Sequence, residues 1–301
     1  MPRKRDSLSA YLRVQREFDR ELYSLLSRAA SDAEKQMRAI LGDNVGDVIR
    51  REQLRAAVVE MHREMADIME RAGLAIRASQ HRAAAAAVDV FLEYEQVLFT
   101  ALKGDTARVA AYLESARATA SYGIDAALQR LQGRSYVPLS ERVYNTTQLA
   151  NGVVDRTVNS ALARGLNARE IAKEVSGLIN PNVRGGVSYA AMRLGRTEVN
   201  NAYHAVQVRT AQTTPWVTAV QWLTSGSHPE PDECDEYAND VHFEGGAEGY
   251  FKPNEVPAKP HPNCLCYTVP VTVDEDTFLD KWAAGDYDSY LASVESGTVY
   301  A

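Results

Sequence analysis

Cysteine is scarce in this chain: Cys234, Cys264 and Cys266 are the only three in 301 residues, and all fall in one short stretch. An odd, clustered set does not build a disulfide framework; it suits a reducing compartment in which thiols serve metal or packing. Long apolar runs are missing too. Nothing approaches the roughly 18 consecutive apolar residues that a membrane span needs. The basic opening MPRKRDSLSAYLRVQ has no apolar stretch behind it, so no secretory signal is expected and a protein made and used inside a cell is. No proline stands between Pro2 and Pro138, which leaves helices free to run on. A phosphate cradle of the Gly-x-x-x-x-Gly-Lys type is also absent. Gly245-Gly246-Ala247-Glu248-Gly249 lacks the following helix that a nucleotide loop requires.

What is present is ordinary for a globular protein: 45% apolar and 24% charged residues, in a length that suits one large domain or two modest ones. The charge is unevenly spread. From Trp216 onward 3 Lys or Arg accompany 16 Asp or Glu, whereas the preceding 215 residues carry 30 against 24. Two regions facing different surroundings are expected. The basic residues of the first region are interspersed with acids, which reads more simply as a solvated helical surface than as a phosphate-binding one.

Periodicity makes the first two-thirds helical. Leu8, Tyr11, Leu12, Phe18, Leu22, Leu25, Leu26, Ala29, Ala33, Met37 and Ile40 recur mostly at steps of three and four. After a break at Gly42-Asp43-Asn44, with Asn44 and Asp47 resembling an N-cap signal, a second stripe runs from Val48 through Met61, Met65 and Ile76. It continues across the alanines 83–87 to Leu102, predicting an extended helix or a tight hairpin. Gly104-Asp105 ends it, and 106–131 reads as a further helix. Residues 133–138 form a linker, Ser140 caps a helix over 140–164, and Asn167-Ala168-Arg169-Glu170 is a capping box opening a short helix to Ile179. The loop through Gly185-Gly186 precedes a helix over 187–212. Beyond Pro215 the character changes: 218–224, 241–243 and 264–271 are strand candidates, 274–284 a short helix, and the tail from Gly285 is weakly specified. The expected fold is mainly α, an elongated helical body followed by a small α+β module near the carboxyl end. In chain order this gives a long-helix region 1–132, a second helical region 133–215, the module 216–273, and a terminal helix and tail 274–301.

Four separated pieces carry a family resemblance. Arg196-Thr197-Glu198 with Asn201-Ala202-Tyr203 comes first, then Gln221-Trp222-Leu223-Thr224, then Asp232-Glu233-Cys234, and last His261-Pro262-Asn263-Cys264-Leu265-Cys266. Their order and spacing over about residues 190–271 resemble the bacteriophage head-morphogenesis, or Mu F-like minor head protein, family. Two positions depart from its pattern. Tyr237 stands where a second cysteine is usual, and Leu265 replaces the usual Arg between the last two cysteines. The resemblance implies a virion assembly protein and no catalysis: a late, portal-associated minor head protein, made in the host cytoplasm, recruited with the portal into the procapsid and retained in the virion head or portal vertex. The implied partners are portal and other head proteins, with no membrane. About 30 residues follow Val271, too few for the fused enzymatic domains that some relatives carry. One alternative is a protein that binds double-stranded DNA and accompanies or is ejected with the genome. Another is a zinc-dependent hydrolase.

The chemistry-bearing residues admit two readings each. On a strand Cys264 and Cys266 share a face. His261 and Cys234 can converge on them to make a tetrahedral zinc site, with His228 and His242 in reserve. Alternatively there is no cofactor, the thiols pack as small apolar groups and His261 caps a turn. Arg193, Arg196, Asn200 and His204 share a helix face that either touches phosphate or an acidic partner, or packs on the module, with Arg196 or Glu198 pinning it by ion pairing. Trp222 is expected to serve packing or interaction. The acidic loop 230–240 has no partner nucleophile, so no catalytic residue is assigned.

Overall fold

The structure is a computed structural model describing residues 5–42, 49–102, 106–120, 122–183, 186–226, 228, 231–262 and 264–300. Asn44 and Asp47, the Gly104-Asp105 break, Gly185, Glu230 and Asn263 lie outside the described residues. Among the described residues there are ten α-helices and one small antiparallel sheet, so the chain is a helical body with a small α+β module near its carboxyl end. It forms two compact units, neither of them one continuous stretch. The first gathers Met1–Gln15, Ala78–Tyr136 and Thr197–Ala301; the second gathers Arg16–Arg77 and Val137–Arg196. Segments far apart in sequence thus share each core, while a division at 132, 215 and 273 follows chain order alone.

Helix α1 (Arg5–Leu41) buries Tyr11, Val14, Phe18, Leu22, Leu26, Ala29, Ala33 and Met37, the stripe that steps of three and four lay on one face. Helix α2 (Arg51–Phe99) is one uninterrupted helix of 49 residues, not a hairpin. Its alanines Ala83, Ala84 and Ala87 are fully buried, so the stripe continues where side chains become small. The single helix expected over 106–131 is instead two, α3 (Thr106–Thr119) and α4 (Ile124–Gln132). Gly123 separates them at φ 64°, a left-handed conformation that glycine adopts without a Cβ clash.

In the second unit, α5 (Leu139–Ala163) starts after Pro138, which holds the N-cap position; Ser140 lies inside the helix and is not its cap. Helix α6 (Ala168–Ile179) has the expected capping box: Asn167 accepts from the Glu170 amide and Glu170 accepts from the Asn167 amide. Where α7 (Gly186–Thr213) passes α1, a Cβ on Gly195 would lie 2.0 Å from Phe18 Cζ, so the ring occupies the space a side chain would need.

In the first unit, strands β1 (Val217–Leu223), β2 (Tyr250–Phe251) and β3 (Tyr267–Thr272) pair antiparallel in the order β2-β1-β3. Val220 stands opposite Phe251 on one side and Pro270 on the other. Two expectations are corrected here. Residues 241–243 are not a strand. The His242 ring stacks on Phe251 at 3.8 Å and bonds the Tyr237 carbonyl, so side-chain packing fixes that segment. The last strand begins at Tyr267, leaving Cys264 and Cys266 in the loop before it. Short helix α8 (Glu233–Asn239) lies between β1 and β2 in sequence. Beyond the sheet, α9 (Glu275–Ala284) is capped by Asp274, and the tail forms a further helix, α10 (Asp288–Glu295). Packing supplies what the tail's sequence lacked: Leu291 and Val294 are buried, and Arg108 of α3 pairs with Asp288.

The core of this unit is aromatic. Trp216 is fully buried, with Phe99, Phe278 and Tyr287 edge-on to it at 5.1–5.7 Å. Inside it lies Glu95, whose Oε1 accepts from Trp216 Nε1 at 2.8 Å and whose Oε2 accepts from the Tyr112 hydroxyl at 2.9 Å. Burial pushes this carboxyl up to about 8, against the two hydrogen bonds that favour its charged form. A polar chain joins the start of α1 to α7 and β3: the Tyr203 hydroxyl donates to the Ser7 carbonyl, Gln207 to the Ser7 hydroxyl, and the Thr268 hydroxyl to Gln207. No described helix is long and apolar enough to cross a membrane.

Candidate metal centre

The first turn of α8 places Cys234. Asp232 is its N-cap and Asp235 reaches back to the Asp232 amide, a reciprocal box in a loop otherwise rich in Pro and Gly. The Cys234 amide donates to Asp232 Oδ1 at 2.7 Å, and its thiol is turned inward, fully buried. Cys264 and Cys266 come from the loop before β3. That loop is held from two sides by its carbonyls: Asn200 Nδ2 of α7 donates to the Cys264 oxygen, and Lys259 Nζ donates to the Cys266 oxygen.

The three sulfurs lie within 4.8 Å of one another, and Cys234 Sγ is 3.5 Å from Cys264 Sγ. Zn–S bonds of about 2.3 Å in a tetrahedron set sulfurs roughly 3.7 Å apart, so the thiol set fits zinc without rebuilding the backbone. Two imidazoles stand at its margin. His261 Nε2 is 3.8 Å from Cys234 Sγ, and His228 Nδ1 is 3.9 Å from Cys266 Sγ. His242, the other reserve ligand, is not brought to the sulfurs but is stacked on Phe251.

The three thiols act first on one another. Hydrogen bonds from Cys234 and then Cys266 pull the Cys264 thiol well below its usual range, with Lys259 adding to the effect. The partner bond to Cys264, then that to Cys266, and burial push Cys234 up, so the group shares its charge and gathers it on Cys264. Lys259 is half-buried, and the loss of water around its ammonium lowers its pKa, while the cysteines oppose that shift. Its ammonium sits 4.7 Å over the Trp222 ring. Trp222 is fully enclosed, with Tyr237 edge-on at 5.1 Å and His204 at 5.4 Å. Tyr237, standing where the family pattern has a cysteine, therefore packs on the tryptophan rather than joining the sulfurs.

The helix face ahead of the module divides. Arg196 grips Asp19 of α1 with both arms, at 2.9 and 3.0 Å, an ion pair between two helices. Glu198 is buried, and its carbonyl accepts from Gln80 at 3.4 Å. Asn200 and His204 of that face reach the module, and both are buried. His204 Nε2 bonds the Pro257 carbonyl at 2.9 Å; burial, then Lys259, pulls its pKa down to about 3 and keeps it neutral. Sequence reasoning overlooked Lys259, whose signal was being one of only three basic residues in an acid-rich stretch. Comparison with protein-family models, curated proteins and solved structures finds no match to this chain.

Proposed function

We propose that the chain is a minor protein of a bacteriophage head, made in the host cytoplasm, recruited with the portal into the procapsid, retained in the virion, and acting by docking rather than by catalysis. The reading starts from the four sequence pieces that resemble the head-morphogenesis family. The observation that carries it is that three of these pieces and the helix joining them to the first pack on one another. Asn200 holds the Cys264 loop, Cys234 meets Cys264, and Trp222 is enclosed by Tyr237, His204 and Lys259. Such mutual packing gives a stiff small module suited to presenting a docking surface. In the second unit, exposed Leu74 and Tyr144 border an open cleft of about 570 Å³ lined also by Gly73, Leu139 and Val143, an apolar face suited to a protein neighbour.

The DNA-binding alternative draws less support. Two of the four residues on its candidate helix face, Asn200 and His204, are buried, and the histidine is uncharged. The test is to tag the chain in infected cells and fractionate procapsids and virions. Portal protein and procapsids are expected to co-purify with it. Absence from both particle fractions overturns the proposal, and duplex-DNA binding with a steep salt slope favours the genome-associated role instead.

A further inference from the structure

We propose that the module binds one structural zinc ion through Cys234, Cys264, Cys266 and Nδ1 of His228, with Asp235 orienting the imidazole, and that His261 is not a ligand. The inference stands apart from the virion role. Both histidines approach a sulfur, and their second nitrogens separate them. His228 Nε2 is 2.8 Å from Asp235 Oδ2, and a proton held there leaves Nδ1, the atom facing Cys266 Sγ at 3.9 Å, to offer its lone pair to a metal. A ring whose outer N–H is held by a carboxylate while its inner nitrogen faces thiolates has the arrangement of a zinc-ligating histidine and its supporting carboxylate. Asp235 is itself immobilised, because the same oxygen accepts the Asp232 amide in the α8 capping box at 2.8 Å.

His261 is differently placed. Its Nε2 faces Asp232 Oδ2 at 3.0 Å and its Nδ1 faces the neighbouring Pro262 carbonyl at 3.1 Å, so an acceptor engages each nitrogen. Its side chain is 39% exposed, against 11% for His228. A structural site is closed to water, which favours the more enclosed ring. Three thiolates, one neutral imidazole and Zn²⁺ leave a single net negative charge, and the half-buried Lys259 ammonium, bonded to the Cys266 carbonyl, lies beside it.

The experiment uses the full chain, purified without chelator under reducing conditions, and compares wild type with His228→Asn, His261→Asn and Asp235→Asn. About one zinc per chain is expected in the wild type. In competition with a chromogenic chelator His228→Asn should weaken binding by about 100-fold or more and Asp235→Asn by about 10- to 100-fold, with His261→Asn within about threefold of wild type. Loss of fold in a variant is read by circular dichroism. A measurement without mutation then decides: long-range proton–nitrogen NMR of the zinc-loaded wild type should show His228 coordinated at Nδ1. Coordination at His261 Nε2, or a larger loss in His261→Asn than in His228→Asn, overturns the assignment of the ligand. A wild-type chain that takes up no zinc when zinc is added overturns the site itself, and neither result bears on co-purification with the portal.

Discussion

Asn200 of α7 donates from Nδ2 to the carbonyl oxygen of Cys264, 64 residues further along the chain. The bond joins the helix that precedes the module to the loop that carries two of its three thiols, and both residues are buried. A buried carbonyl that loses such a donor goes unpaired. Asn200→Ala is therefore expected to destabilise the first unit by about 1–3 kcal/mol in urea unfolding. Asn200→Asp should cost more, because a carboxylate would face the carbonyl oxygen. Equal stability of all three proteins would show that the bond contributes nothing.

Glu95 predicts an alkaline weakness. Its pKa is raised from 4.5 to about 8 in the fold, chiefly by burial. A raised folded pKa means the contribution to stability is fully present below pH 4.5 and is lost as pH rises through about 8. Unfolding free energy should fall by on the order of a few kcal/mol between pH 5 and pH 9. Glu95→Gln, whose amide can face Tyr112 after its hydroxyl rotates, should flatten that slope. A slope unchanged in the variant would assign the pH dependence elsewhere.

Lys259 is expected to matter through its charge more than its shape. It is half-buried between the Cys266 carbonyl and the Trp222 ring, next to the sulfurs. Lys259→Met keeps much of the volume and removes the cation, so zinc competition should show affinity weakened roughly tenfold, about 1.4 kcal/mol. Unchanged or tighter binding would show that the thiolate charge is met by other groups.

Gly249 offers a test of the loop that looked superficially like a glycine-rich nucleotide loop. Its φ is +74°, and a Cβ there would lie 2.6 Å from the Ala238 carbonyl oxygen and 3.0 Å from that of Trp222. Its own carbonyl accepts from the Trp222 amide at 2.8 Å, seating β1. Both strain and collision oppose a side chain, so Gly249→Ala should destabilise the protein by about 2–3 kcal/mol or prevent the module folding. A melting temperature equal to wild type would contradict this.

Local rules set α1, α2 and α6, and these were legible from the residues alone. The stripe from Tyr11 to Met37, the Asn167-to-Glu170 box and the run of α2 through its alanines all follow from periodicity and capping, which act within a few residues. The cluster of Cys234, Cys264 and Cys266 was also foreseeable as a group, although on the wrong backbone: Cys264 and Cys266 reach Cys234 of α8 from a loop and not from a strand. Tertiary structure alone decided which partners meet. It turned His228 towards Cys266 with Asp235 behind it, gave Arg196 to Asp19, enclosed Glu95 between Trp216 and Tyr112, and made a helix of the tail by burying Leu291 and Val294. Those contacts join residues up to 177 positions apart, as Arg196 and Asp19 are. No short-range pattern encodes such a pairing, because it depends on how several elements bury their apolar faces together.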